Sequence, residues 1–168
     1  QIQWCIRARP RHYQDYNPIC NIFPGIDGFN EKPSATSDVY KIIYSPAHSR
    51  TGGRWNPKGS SALNISLHYC VSQKLAELKS PPKTNEAQLL AYRNQCDITI
   101  DEIITGSYHQ ISLEGLSAGN IVVNNADFFS IEMLKLAVKT NENPPFYHMN
   151  ESNCSNRLEQ LVMMSEQE

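Results

Sequence analysis

The chain has 168 residues and a formal net charge of −2 at pH 7, and apolar side chains occupy 40% of its positions. This length suits a single domain, and this apolar content supplies one sizeable core, which argues against a disordered chain. The small negative charge argues against a nucleic-acid-binding surface, and no apolar run reaches the roughly 18 residues that a membrane span needs. We therefore expect one globular domain over residues 1–168, with no membrane contact and no direct nucleic-acid binding.

The first part of the chain is irregular in its predicted structure. Alternating apolar residues predict a strand over residues 1–8, and a proline-rich insertion follows at about 10–38. A short strand is predicted over residues 39–44. The segment 49–59 is too rich in glycine and turn-forming residues to be a regular element.

The middle of the chain shows first the alternation that is typical of a strand and then the spacing that is typical of a helix. Alternating leucine and isoleucine predict a strand over residues 63–67, and the spacing of apolar residues over 71–78 is typical of an amphipathic helix. A proline pair ends that helix. A second short helix is predicted over residues 84–94 and a strand over 98–104.

The C-terminal part adds further elements to the predicted domain. Residues 120–123 favour a short strand, and Asp127 is placed to cap a helix that ends before 143–145. The apolar run 161–164 is either a closing strand or a helix. Strands and helices without strict alternation favour an α+β fold.

The five cysteines are isolated from one another, and none of them forms a C-x-x-C pair. An odd number of isolated cysteines indicates neither a zinc site nor a disulfide framework. We expect free buried thiols and no requirement for a metal. The cysteines are Cys5, Cys20, Cys70, Cys96 and Cys154.

One block of the sequence carries a specific pattern, which reads Gly52-Gly53-Arg54-Trp55-Asn56-Pro57-x-Gly59. A predicted strand follows it, and then a predicted helix that contains Ala76 and Glu77. This order resembles the RES domain, a family of the ADP-ribosyltransferase-like superfamily with a G-G-R-W-N-x-x-G loop and a later glutamate. The resemblance is specific over residues 50–78. It implies an α+β fold with mixed or antiparallel sheets flanked by helices.

The resemblance also implies an activity, the cleavage of the nicotinamide–ribose bond of NAD⁺. Arg54 and Glu77 would be catalytic: Arg54 would orient the phosphates or the nicotinamide amide, and Glu77 would stabilise the positive charge that develops on the ribose. NAD⁺ would be the substrate, and no metal would take part. The residues that would bind the substrate are Gly52, Gly53, Arg54, Trp55, Asn56, Asn64, Tyr69 and Ser152.

The chemistry of these residue types agrees with that activity. Two adjacent glycines allow the backbone to approach a ligand closely. The planar guanidinium of Arg54 suits a pyrophosphate or a carboxamide, and Trp55 can form the flat wall of a pocket. A carboxylate close to the reacting carbon acts chiefly in the transition state, where the sugar carries positive charge.

The chain departs from the family pattern at several positions. Asn64 stands where the family strand has a tyrosine that would stack on nicotinamide, and Tyr44 or Tyr69 is a candidate replacement. The late serine of the family corresponds to Ser152 or Ser155. Its N-terminal arginine corresponds to Arg7 or Arg9.

RES relatives are typically toxins, and this implies a cytoplasmic site of action and a neutralising antitoxin or immunity protein. The chain begins at Gln1, so we expect that residues preceded it, as in a toxin domain taken from a larger delivered effector. The ADP-ribose acceptor could be water, phosphate or a protein.

Three alternatives stay open. The protein could be an ADP-ribosyltransferase that modifies a protein target. It could be a RES-like module that binds a nucleotide or a partner and has lost turnover. It could also be an unrelated hydrolase that uses Cys70 with His68 or His109.

Overall fold

The computed structural model describes residues 39–45 and 59–164. In this part of the chain, strands and helices alternate strictly. The elements are β1 (Tyr40–Tyr44), α1 (Ser61–Ser72), β2 (Ala76–Lys79), α2 (Glu86–Asn94), β3 (Ile98–Ile100), α3 (Gln110–Ser117), β4 (Ile121–Asn124), α4 (Phe128–Val138), β5 (Phe146–His148) and α5 (Cys154–Met163).

The five strands form one sheet in the order β2-β1-β3-β4-β5, and every pair is parallel. Ile42 of β1 lies opposite Leu78 of β2 on one side and opposite Ile98 of β3 on the other. The chain therefore moves outward from β1 to β2 and then returns past β1 to β3. This reversal of direction at β1 defines a doubly wound sheet.

Helices cover both faces of the sheet. Parallel strands are joined by right-handed crossovers, so the helix before the reversal, α1, and the helix after it, α2, lie on opposite faces of the sheet. Helix α1 contacts α5 on one face, and α2 contacts α3 on the other. Helix α4 packs on the α3 side, because Leu134 and Ile131 of α4 belong to one apolar cluster with Leu113 and Leu116 of α3.

The core is correspondingly divided into two apolar clusters. The larger one lies between the sheet and the α1–α5 layer, and it includes Ile42, Leu63, Leu67, Ile98, Ile100, Leu158 and Leu161. The smaller one lies under α3 and α4 and contains Tyr108, Val122, Ala126, Leu134 and Phe146.

The predicted strand over residues 63–67 is wrong, because these residues lie inside α1. Leu63, Leu67 and Cys70 follow the i, i+4, i+7 spacing, and all three are buried, whereas Ile65 is 71% exposed. The Ser60 hydroxyl accepts a hydrogen bond from the Leu63 backbone N–H at 3.2 Å and caps the helix. Over this short run the apolar residues fit both the alternation of a strand and the spacing of a helix. The cap at Ser60 favours the helix.

The predicted helix over residues 71–78 is also wrong. Helix α1 ends at Ser72, Lys74 reverses the chain with a φ of 58°, and Ala76–Lys79 pair with β1 as strand β2. Glu77 consequently lies in an edge strand.

Several other sequence predictions are confirmed. The strand over 39–44 is β1, the helix over 84–94 is α2, and the strand over 120–123 is β4. Asp127 caps α4, and its carboxylate accepts the Ser130 N–H at 2.9 Å. The strand over 98–104 is shorter than expected, and residues 161–164 end helix α5. The sequence did not predict α3 and β5.

The expected combination of helices with a sheet is confirmed, but the expected mixed or antiparallel sheet is wrong, since all five strands are parallel. Crossover connections with one helix each require parallel strands. The predictions for residues 1–8, for the insertion at 10–38 and for most of 49–59 lie outside the described residues.

Helix α3 lies close against the sheet at Gly115. A Cβ at this position would lie 2.8 Å from Val122 Cγ2 and 2.9 Å from Thr99 Cβ. We expect Gly115→Ala to lower the free energy of unfolding by about 1–3 kcal/mol, because the new methyl group would force the fully buried side chains of Val122 and Thr99 to shift. Urea denaturation measures the change. The exposed helical substitution Asn156→Ala is the control, and equal stability of the two variants would contradict this packing.

Candidate functional site

The carboxyl ends of β1 and β3 lie side by side at one edge of the sheet. Strand β1 ends at Tyr44, β3 is followed by Asp101 and Glu102, and Ser60 and His109 precede helices α1 and α3. We call these five residues the carboxyl-edge site. In doubly wound sheets, ligands bind outside the carboxyl ends of the strands where the strand order reverses, and here that place lies between β1 and β3.

Tyr44 forms one wall of the site. Its side chain is 6% exposed, and its hydroxyl makes no hydrogen bond to any residue that the structure describes. Burial raises the pKa of this hydroxyl, the nearby Ser60 backbone N–H lowers it by a smaller amount, and the charge of Glu102 raises it. The site thus contains a buried polar atom that makes no well-formed hydrogen bond to the described residues.

The start of α1 brings further polar groups to the same edge. Ser60 Oγ donates to Glu151 Oε1 at 2.7 Å, and Glu151 belongs to the turn after β5. The N–H groups of Ser61 and Ala62 have no acceptor within the helix, as in the first turn of any helix. The α1 end of the site therefore offers hydroxyls, backbone N–H groups and the carboxylate of Glu151.

Glu102 holds the turn that leaves β3. Its side chain is 2% exposed, and its carboxylate accepts the backbone N–H of Ile104 at 3.0 Å and that of Thr105 at 2.9 Å. The Thr105 hydroxyl donates to the same carboxylate. These bonds compensate for burying the carboxylate, and they fix the backbone of the turn at residues 102–105.

Asp101 organises the α3 end of the site. Its carboxylate accepts the His109 backbone N–H at 2.6 Å and the Ser112 hydroxyl at 2.7 Å. The His109 ring lies against it, with Nδ1 3.1 Å from Oδ1. Asn124, at the end of β4, donates to the Ser112 hydroxyl at 2.9 Å and thereby connects the network to the next strand.

The loop between Glu102 and His109 is also anchored in its middle. Gly106 has a φ of +72°, a conformation that favours glycine. Its carbonyl accepts the Asp127 N–H at 2.9 Å and the Ser130 hydroxyl at 3.0 Å, both from the start of α4. A loop held at its start, middle and end presents its groups in a preorganised arrangement.

The predicted catalytic residue Glu77 lies away from these groups. It is exposed on the edge strand β2 and forms an ion pair with Lys79 of the same strand. The predicted ligand residues Asn64 and Tyr69 are exposed on α1, and Tyr69 retains 50% of its surface. The strand that was expected to carry Asn64 is a helix.

The remaining predicted site residues divide into two groups. Ser152 lies in the turn after β5, next to Glu151, and its hydroxyl donates to Asn150 Oδ1 at 2.7 Å. It is thus at the carboxyl edge of the sheet. Five predicted residues lie outside the described residues: Gly52, Gly53, Arg54, Trp55 and Asn56.

Sequence reasoning missed Asp101, Glu102 and Glu151, and it considered His109 only as a partner for Cys70. The available signal was a buried apolar strand, Ile98–Ile100, followed at once by two acids. Such a pattern is typical of the carboxyl end of a strand in a parallel sheet, where polar functional groups follow buried residues.

The described structure does not support a Cys70–His pair. Cys70 is 1% exposed within the larger apolar cluster, and burial raises the pKa of its thiol, which disfavours the nucleophilic thiolate. His68 is exposed on α1, and His109 bonds to Asp101. The expectation of buried free thiols is confirmed for Cys70, Cys96 and Cys154.

Within residues 39–45 and 59–164, no three His, Cys, Asp or Glu side chains are grouped so that they could hold a metal ion. Among the helices of the same ranges, none is both long and apolar enough to cross a membrane.

Comparison of the chain with protein-family models, with curated proteins and with solved structures found no match.

The burial of Cys70 leads to a test of the cysteine hydrolase alternative. We expect iodoacetamide at pH 7.5 to leave Cys70 unmodified in the folded protein and to modify it fully in urea, because the thiol is enclosed and its pKa is raised. Peptide mapping by mass spectrometry measures the modification. Rapid labelling of Cys70 in the folded protein would contradict the structure and would revive that alternative.

Proposed function

We propose that the carboxyl-edge site binds a nucleotide that contains a diphosphate, and that the protein cleaves the bond at the anomeric carbon of a sugar in that ligand. The observation that carries the proposal is the place of the glycine–arginine block in the chain. Residues 52–59 belong to the connection between β1 and α1, which is the first β–α connection among the described elements and leaves the strand at which the sheet order reverses. This connection is the usual phosphate-binding element of doubly wound sheets.

The composition of the connection supports diphosphate binding. Gly52 and Gly53 allow the backbone to approach a ligand closely, and the guanidinium of Arg54 can donate two hydrogen bonds to phosphate oxygens in a bidentate arrangement. The connection starts after Ser45 and ends at the N-terminus of α1, where the N–H groups favour an anion. The roles of Gly52, Gly53, Arg54, Trp55 and Asn56 in ligand binding therefore remain part of the proposal.

The described side chains support a sugar next to the diphosphate. Glu151 accepts a hydrogen bond from Ser60 and is otherwise exposed, so it can accept bonds from sugar hydroxyls. The Tyr44 hydroxyl is buried and has no partner among the described residues. A carboxylate beside the anomeric carbon also stabilises the positive charge of the transition state. We assign this role to Glu151 in preference to Glu77, whose charge is paired with Lys79 on the edge strand.

NAD⁺ is the first candidate ligand, because the RES-like block favours it. In this proposal the nicotinamide–ribose bond breaks, and water, phosphate or a protein side chain accepts the ADP-ribose. A toxin of this kind would act in the cytoplasm and would need a neutralising partner. An ADP-ribosyltransferase-like arrangement, however, requires a strand and then a helix after the block, and here α1 precedes β2.

A sugar nucleotide is the second candidate, and the reaction would then be glycosyl transfer. Two observations favour it. Asn64 offers no flat surface for a nicotinamide ring and lies exposed on α1. The groups at the α1 end of the site, Tyr44, Ser60 and Glu151, suit several sugar hydroxyls.

The test is the turnover of NAD⁺ and of a panel of UDP-, GDP- and ADP-sugars by the purified chain. Arg54→Ala and Glu151→Gln are each expected to lower kcat/KM at least about 10²-fold, an effect of the size expected when transition-state electrostatics are lost. Release of nicotinamide would identify NAD⁺, and release of a nucleoside diphosphate would identify a sugar nucleotide.

Glu77→Gln is the matched control for Glu151→Gln, since it makes the same change on the edge strand. We expect it to retain wild-type turnover. A loss of activity in Glu77→Gln with full activity in Glu151→Gln would overturn the assignment of the carboxylate. If the wild-type chain neither binds nor turns over any of these nucleotides, the proposed function is wrong.

A further inference from the structure

We propose that the guanidinium of Arg157 binds an oxyanion, which is either a phosphate or a carboxylate group. Arg157 lies near the start of α5 and contacts β5, and we call Tyr147, His148 and Arg157 the β5–α5 corner. Strand β5 is an outer strand of the sheet, two positions beyond β3. The inference therefore concerns a second site, and it does not rest on the proposed function of the carboxyl-edge site.

Tyr147 holds the guanidinium of Arg157 in place. The central carbon of the guanidinium lies 4.1 Å from the centroid of the Tyr147 ring, which is a cation–π contact. The Tyr147 hydroxyl in turn donates to the Arg157 carbonyl oxygen at 3.0 Å. Tyr147 also packs against the larger apolar cluster, so its ring is a firm support. The planar donor group of Arg157 is therefore preorganised before a ligand arrives.

The charge of Arg157 has no counter-ion in the part of the chain that the structure describes. None of the ion pairs within residues 39–45 and 59–164 includes it. The nearest acids in the sequence are directed elsewhere, because Glu151 accepts a hydrogen bond from Ser60 and the charge of Glu159 acts on Cys70 of α1. A guanidinium is permanently charged, so its partial burial without an anion is unfavourable.

The hydrogen-bonding groups of Arg157 determine the class of ligand. Its Nε atom is enclosed and makes no hydrogen bond to the residues that the structure describes. An anion must therefore approach the two terminal nitrogens, which can donate to two oxygens in a bidentate arrangement. Carboxylate and phosphate groups have this geometry, and the fork of a guanidinium matches it. The corner is consequently suited to an oxyanion.

The start of α5 adds donors to the same corner. Asn153 occupies the N-cap position, but its side chain makes no capping hydrogen bond to the helix, and its amide oxygen accepts the Asn150 N–H at 2.9 Å. The N–H groups of the first turn have no acceptors within the helix. Arg157 follows one turn later, and helical side chains lean towards the N-terminus of their helix. These N–H groups strengthen the attraction for an anion that Arg157 holds.

His148 is a natural reporter of an anion at this corner. It directly follows Tyr147 in the chain, and its side chain is exposed. Partial desolvation of the ring lowers the pKa of His148, and the positive charge of Arg157 lowers it further. An anion bound to Arg157 would offset that positive charge. The pKa of His148 should therefore rise when the site is occupied.

The test is the titration of the purified chain with sodium phosphate and, separately, with sodium acetate. Sodium chloride at equal ionic strength is the reference, and NMR follows the Nε–H signal of Arg157 and the ring signals of His148. We expect a saturable shift of both sets of signals with a Kd of about 1 mM or lower for at least one of the two anions. The pKa of His148 should rise at saturation. Tighter binding of phosphate identifies a phosphate ligand, and tighter binding of acetate identifies a carboxylate ligand.

Two variants of Arg157 separate charge from geometry. Arg157→Gln removes the charge, so the pKa of His148 should rise without any anion and should no longer respond to one. Arg157→Lys keeps the charge but loses the planar fork, and we expect it to bind the anion about tenfold more weakly. Lys83→Gln is the matched control, because it removes one exposed positive charge between β2 and α2, and it should bind like the wild type.

Three results would overturn the inference. The first is a wild-type response that does not saturate or that sodium chloride reproduces. The second is anion binding in Arg157→Gln that is as tight as in the wild type. The third is equal affinity of Arg157→Lys and the wild type, which decides the question even if Arg157→Gln does not fold. None of these results bears on the proposed function, because the signals report on the β5–α5 corner alone.

Discussion

Parallel pairing of β1 with both β2 and β3 is the constraint on which the rest of the molecule depends. Because parallel neighbours cannot be joined by a tight turn, every connection must cross the sheet, and each one does so with a helix. All five strands then end at the same edge. The reversal at β1 separates the starts of α1 and α3 on opposite faces, and the polar groups between them form the carboxyl-edge site.

Burial of polar groups at this edge has an energetic cost that the fold compensates with internal hydrogen bonds. Asp101, Glu102 and Asn124 are all nearly inaccessible, and each bonds to backbone N–H groups or hydroxyls. Such a network preorganises the site before a ligand arrives. Tyr44 differs from these residues because its buried hydroxyl has no partner among the described residues, and a bound sugar would satisfy it.

Local signals predicted the elements that carry both a cap and a clear period, such as α4 with Asp127 at its start. They failed at α1 and β2, where a few apolar residues fit the period of a strand as well as that of a helix, and where the Ser60 cap and the packing of the buried face decided the outcome. Strand β3 was predicted with too many residues, and β5 was missed because its three residues are too few to show a period. The site was harder to predict than the elements, because local sequence does not determine the order of the strands in a sheet. The block 52–59 was recognisable, but nothing in the sequence showed that it belongs to the connection between β1 and α1.

Mapping of a bound nucleotide on the folded chain shows whether the ligand lies at the carboxyl-edge site. A series of ¹H–¹⁵N correlation spectra recorded during titration with ADP or UDP reports which backbone amides change their environment. We expect the largest shifts to cluster at residues 59–62 and 102–111, on both sides of the reversal point, with little change along β2. Shifts centred on Glu77 and residues 76–83, with none at the carboxyl ends of β1 and β3, would contradict it.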